Sequence, residues 1–354
     1  MISLVPTPDQ LPMARGYFDA LLLLTFPLHL LFMNAMIGSA LIAFWSHWRK
    51  DPVSERLAYQ LAKALPLLIA FTINLGVAPL LFAQVIFGHY IYSSSVIIGV
   101  FWLSIVPVLL VVYFGAYLYD FKFWSMGRKG LPVLGLVIVL IGCIGFVFSN
   151  NMTLMLDPEA WKAYFTHSGG AYLNLNEPTL YPRYLHMMIG ATAVGGLAVA
   201  CLSRLWVKKD VEVASLGLNT GMRLFFVATC AQLVAGIWFL LSLPVDIMKI
   251  FMGRSPLASA VFIVALVVVI MVLISAWQRK LVVSAGLTVV LVYLMTFMRA
   301  FVREGYLAKT YVTQTVESNP DYSPLALFVI TLVIGLVLIA WMIKVTLNTD
   351  EGAS

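Results

Sequence analysis

Charge is what this chain has least of: Asp, Glu, Lys and Arg make up 11% of its 354 residues, against 62% hydrophobic. A soluble globular domain carries about a quarter of its residues charged, so that class is excluded. All sixteen acidic residues fall at the ends of apolar runs or between them. An ion-coupled transporter or proton pump keeps a carboxylate at mid-membrane, and this chain offers none. Cysteine is scarce as well. Cys143, Cys201 and Cys230 each lie in an apolar run without paired spacing, so neither a disulfide framework nor a C-x-x-C-H haem attachment is present. The first nineteen residues have three prolines and lack the basic start and small-residue cleavage site of a secretory signal, so the first helix is expected to be retained. No internal repeat is visible in the sequence.

What is abundant is apolar sequence of bilayer length, with a mean hydropathy of +0.96. Runs at roughly 20–45, 65–88, 95–119, 131–149, 183–206, 220–243, 258–277, 281–303 and 324–345 are each near the roughly 20 residues that span a hydrocarbon core. The expected fold is an all-α polytopic bundle of about nine transmembrane helices in a single membrane domain. It comprises an outer segment 1–19, helices 1–4 over 20–149, an outer loop 150–182, helices 5–9 over 183–346 and a tail 347–354. Basic loops stay cytoplasmic. With the N-terminus outside and the C-terminus cytoplasmic, 14 of the 22 Lys and Arg face inward. The net charge of +6 is then a topology signal, and no nucleic-acid partner is implied; the partner is lipid. A bacterial cytoplasmic (inner) membrane is the expected location.

Against this background the five histidines stand out. His29 lies inside LLLLTFPLHLLFMNAMIGSA, about 14 Å below the expected outer surface. His89 ends the second run and His186 begins the fifth, both on the outer side. A neutral imidazole inside a membrane either hydrogen-bonds a neighbouring helix or ligates a metal, and the usual metal there is a haem iron held between helices. Around His186, Gly190, Ala193 and Val194 continue its helical face with slim side chains that leave room for a flat ring. Arg183, one turn earlier, is placed to meet a propionate. Arg299 and Arg303 either do the same or snorkel to the interface. His47, in FWSHWRK, reads as an interfacial anchor between tryptophans, and His167 as a solvated loop residue. Asp157 is placed to cap a short helix led by Pro158.

Three segments together resemble subunit I of the cytochrome bd quinol oxidases. T-F-P-L-H-L-L-F, with Gly38 nine residues after His29, is similar to that family's first-helix haem-ligand segment. G-V-A-P-L-L-F-A-Q-V-I-F-G-H-Y-I-Y-S-S-S over 76–95 resembles its second-to-third helix stretch. R-Y-L-H at 183–186, followed by W-V-K-K-D, resembles its haem b helix and the turn after it. The resemblance implies haem b, two or more, held by His29 and His186, with His89 a weaker candidate. It also implies a quinone or quinol, partner subunits and a respiratory role.

The departures from the family fall on dioxygen chemistry. The third run, residues 92–119, holds no acid where the family carries two glutamates, and Thr296 stands where a ligating glutamate would align. The long quinol loop is reduced to LPVDIMKIFMGRSP, and Met252 is only a weak substitute for the family's methionine ligand. The expected function is therefore a haem b membrane subunit passing electrons between the quinone pool and an outer partner such as a c-type cytochrome. The alternatives are a terminal oxidase reducing dioxygen and a haem-free transporter or structural subunit.

Overall fold

The computed structural model describes residues 4–308 and 322–351. Helices α1 (Arg15–Trp48), α2 (Pro52–Ile97), α3 (Gly99–Phe121), α4 (Gly130–Leu156), α5 (Leu180–Trp206), α6 (Val211–Ser242), α7 (Pro256–Trp277), α8 (Leu281–Leu307) and α9 (Ser323–Glu351) dominate the described residues. The first eight are long and apolar enough to cross a membrane. The side chains they turn outward are large and apolar, among them Leu103, Leu110, Phe114 and Trp277, each at least 67% exposed. Such a surface requires lipid or another apolar partner for solvent.

Two boundaries differ from the sequence reading. Residues 89–94 are not a connector: α2 continues through them, bent at Phe87 (φ −123°, ψ 25°), and breaks only at Ile98. The loop expected at 150–182 begins at Asp157, because α4 runs to Leu156. Asp157 does accept from the backbone N–H of Glu159 and opens a 3-10 helix at Pro158–Phe165. Most of the second long connector, 309–321, and the last residues, 352–354, lie outside the described residues.

The two halves pair their helices alike, a repeat of arrangement that is not visible in the sequence. In the first half α1 packs on α2 and α3 on α4; in the second, α5 packs on α6 and α7 on α8. The halves meet along α1 and α5, and the contacts exchange, α1 touching α8 while α5 touches α4. Both halves open their second helix with an aspartate cap. Asp51 accepts from Ser54 N at 2.8 Å, and Asp210 from Val213 N at 3.1 Å. The Ser54 N–H holds the Asp51 carboxyl below its ordinary range, and the Val213 N–H, then the Arg56 guanidinium, do so for Asp210. Arg56 on α2 bonds Asp210 at 2.8 Å and Glu212 at 2.6 Å, which ties the starts of α2 and α6 together. The α1–α2 and α5–α6 turns therefore lie at one end of the bundle, here called lower, and α1 and α5 run parallel.

Gly38 and Gly195 allow the two halves to meet. A Cβ on either would fall on backbone of the other helix, so α1 and α5 touch main chain to main chain. Small residues permit this approach in a membrane, where packing and not water drives helix association.

Candidate functional site

His29 and His186 each lie nine residues before these crossing glycines, so both sit about 14 Å above the crossing, at one depth. Each ring turns toward the second helix of its own half. His29 Nδ1 lies 3.0 Å from the carbonyl oxygen of Thr72, and a Cβ on Gly76 would come within 2.9 Å of its Nδ1 and Cε1. His186 Nε2 lies 3.0 Å from Gln232 Nε2, and a Cβ on Gly236 would come within 3.2 Å of its Cε1 and 3.4 Å of its Nδ1. The hydrogen-bonding residue precedes the glycine by four in both cases, one turn along one face. These are two separate sites related by the repeat.

A carbonyl can only accept, so His29 carries its proton on Nδ1 and leaves the Nε2 lone pair for a ligand. A backbone carbonyl fixing one nitrogen while the other faces a metal is the usual environment of a ligating imidazole. At the second site the amide nitrogen of Gln232 can only donate, which again places the His186 lone pair on Nε2.

Each site carries a guanidinium stacked on a phenylalanine. Arg299, on α8, lies 4.3 Å from the ring centre of Phe26, which precedes His29 by three residues. Arg183, three residues before His186, lies 5.1 Å from that of Phe239 on α6. Arg303 is 7% exposed and sits 4.3 Å from the ring centre of Phe87. The last two arginines of α8 are therefore turned into the protein and do not snorkel. Among the described residues, neither Arg183 nor Arg299 makes an ion pair with a carboxylate, and Arg183 Nε and Nη2 are buried without a hydrogen-bond acceptor. Arg299 is within electrostatic reach of both Arg183 and Arg303. Glu177 is within electrostatic reach of Arg183 as well, and cations buried in this way favour an anion beside them.

The remaining candidates lie elsewhere. His89 is on α2 seventeen residues above Thr72, about 25 Å along the helix, in a groove of about 450 Å³ formed with residues 8–12. Met252 is 54% exposed in an irregular turn. Thr296 spends its hydroxyl on the carbonyl of Val292, 3.0 Å away. The slim face after His186 is not open space, because Gly190 packs against Gln232. His47 is not an interfacial anchor either. It is 4% exposed, bonded at 2.8 Å to the Tyr119 hydroxyl and stacked on Phe123, while its neighbours Trp45 and Trp48 are the exposed aromatics.

Sequence reasoning did not find Thr72, Gly76, Gln232 or Gly236. The only available signal was the shared four-residue spacing to a glycine, which is uninformative until the histidines are known to face it. Among the described residues no three His, Cys, Asp or Glu gather as a metal site.

Neither a protein-family model nor a curated protein sequence matches the chain. Among solved structures it is similar to the bd oxidase from Geobacillus thermodenitrificans, with a TM-score of 0.64 and 13% identity, over 92% of this chain and 96% of that one. That likeness extends over the whole helical arrangement and concerns the fold: this chain has a bd oxidase-like fold.

Proposed function

We propose that the chain is a haem b-binding membrane subunit of a respiratory redox complex, carrying electrons between the quinone pool and a partner such as a c-type cytochrome on the outer side. The observation that carries this reading is the pair of related histidines, each with an Nε2 lone pair, a glycine against its ring edge and a stacked arginine nearby. A haem would supply ligands that the chain lacks, carboxylates for the Arg183 and Arg299 guanidiniums, and one-electron chemistry that no side chain here provides.

In this reading His29 and His186 hold one iron each. Thr72 fixes the His29 tautomer through its carbonyl. Gly76 and Gly236 keep each second helix close to the imidazole edge, where any side chain would displace the ring. Arg183, Arg299 and Arg303 neutralise propionates, and their position above the histidines places the charged edges toward the upper end. Lipid around α3 and α7 excludes water from the flanks. The upper end is the outer side, as the distribution of basic residues favours, so the partner docks where residues 157–179 cover the bundle. His89 is too far along α2 to join either iron.

The test is a reduced-minus-oxidised spectrum with pyridine haemochrome quantification of the purified chain. Two haems b per chain are expected, and a chain free of haem would end this reading in favour of a transporter or structural subunit. A second reading, a terminal oxidase, is favoured by the bd oxidase-like fold. It is opposed by the sequence, whose acidic residues fall at the ends of the apolar runs or between them and not at mid-membrane where a proton path would use them. Oxygen consumption driven by a quinol separates the two.

A further inference from the structure

The two histidine sites differ in what covers the second ring nitrogen. At His29 the partner is the Thr72 carbonyl, part of the α2 main chain, and it engages Nδ1. At His186 the Gln232 main chain likewise engages the ring, and the end of the Gln232 side chain in addition engages Nε2, the nitrogen that carries the lone pair. We propose that Gln232 is a removable cap on that nitrogen, so that the His186 site takes haem only when the Gln232 amide turns away, whereas the hydrogen bond at His29 leaves Nε2 uncapped. This rests on the reading of both histidines as haem ligands.

Three features support a cap over a permanent partner. The closed arrangement is incompletely satisfied: Gln232 Oε1 is buried with no hydrogen-bond partner among the described residues. The donor end of the amide is thus bonded while its acceptor end is not, a costly combination in a dry interior. The tautomer is already the ligating one, so opening the cap moves no proton; the amide releases one hydrogen bond and the lone pair becomes available. Finally, the closed position depends on Gly190, one turn after His186, where a Cβ would stand 2.9 Å from Gln232 Nε2. Any larger residue there pushes the flexible amide outward.

These features make Gln232 a positioning residue with opposite effects from different substitutions. Gln232→Leu removes the donor while keeping bulk. Gly190→Ala leaves the amide in place chemically and crowds it out sterically. Gln232→Glu reverses the polarity, because a carboxylate accepts from the imidazole and moves the proton onto Nε2, where it blocks ligation.

The experiment is haemin titration of the full-length chain in detergent, followed by the absorption of the bound form, in a His29→Ala background that leaves only the His186 site. The same titration with His29 intact, where the second equivalent reports on His186, serves if that background does not fold. Gln232→Leu and Gly190→Ala are expected to bind haemin about tenfold more tightly, the upper end for one neutral hydrogen bond released. Gln232→Glu is expected to bind more weakly than the parent. Equal affinity of parent, Gln232→Leu and Gly190→Ala would overturn the cap and leave the ligand assignment standing. Failure of parent and variants alike to bind haemin would overturn both.

Discussion

Replacing Gly38 with alanine is the sharpest test of how the two sites are positioned. The added methyl would stand 3.0 Å from the carbonyl oxygen of Gly195 and still nearer to the Cα and carbonyl carbon of that residue. All three are main-chain atoms of a helix, so no side chain can rotate out of the way. Ordinary carbon contacts lie at 3.4–4 Å. α1 and α5 must therefore separate by about 1 Å, and overpacking that moves backbone costs about 3 kcal/mol, the upper part of the usual range. Gly286→Ala on α8 is the control, since a Cβ there meets nothing within 4 Å. That change should stabilise by about 0.5–1 kcal/mol through the helix preference of alanine. The same substitution at two membrane glycines is thus expected to act with opposite sign. Equilibrium unfolding in mixed detergent micelles measures the difference, and haem content of the same preparations reads the sites. Both haem signals should fall together in Gly38→Ala, because the crossing sets the position of both histidines. A Gly38→Ala protein as stable as Gly286→Ala would refute the direct backbone contact and the two-site geometry built on it.

Further outcomes follow from single residues. His29→Ala and His186→Ala are each expected to remove one haem b spectral component, and together to abolish pyridine haemochrome; unchanged spectra in both would remove them as ligands. His47→Ala should leave those spectra intact while lowering unfolding stability by about 3 kcal/mol, from the cavity left against Phe123 and the stranded Tyr119 hydroxyl; an unaltered stability would contradict its burial. The Asp51 carboxyl is held below its ordinary range, so its capping contribution is complete above the unfolded value of about 3.9 and is lost as pH falls through the lower folded value. Asp51→Asn keeps a capping side chain without the titration, and its stability should vary less than the parent's in unfolding measured from pH 5 to pH 2. Identical pH profiles would show that the cap is not formed by the charged carboxylate.

The helical class and the spans were legible because lipid imposes only two local demands, length and apolarity, and both are written in consecutive residues. His29 and His186 were legible for the converse reason, since a polar ring in such a run must have a partner. The histidine before Trp48 shows where local pattern fails. His47 has the tryptophan flanks of an anchor, but its partner Tyr119 is seventy-two residues away on α3. Arg299 and Arg303 likewise had two fates compatible with their place near a helix end, and the rings of Phe26 and Phe87 decided between them.

The repeat was hidden because its halves drift in register. His29 and His186 are 157 positions apart, whereas Gly76 and Gly236 are 160 apart. Packing in lipid requires small residues where backbones touch and tolerates almost any apolar residue elsewhere, so little identity survives around the few positions that matter. By itself the sequence determined a helical membrane chain with buried imidazoles and guanidiniums on one side. Tertiary structure alone decided that the imidazoles form two related sites at one depth, that each has a guanidinium stacked on a phenylalanine beside it, and that the Gln232 side chain covers Nε2 of one of them. Those facts depend on which helices approach through glycine, and a contact between distant backbones leaves no local pattern to read.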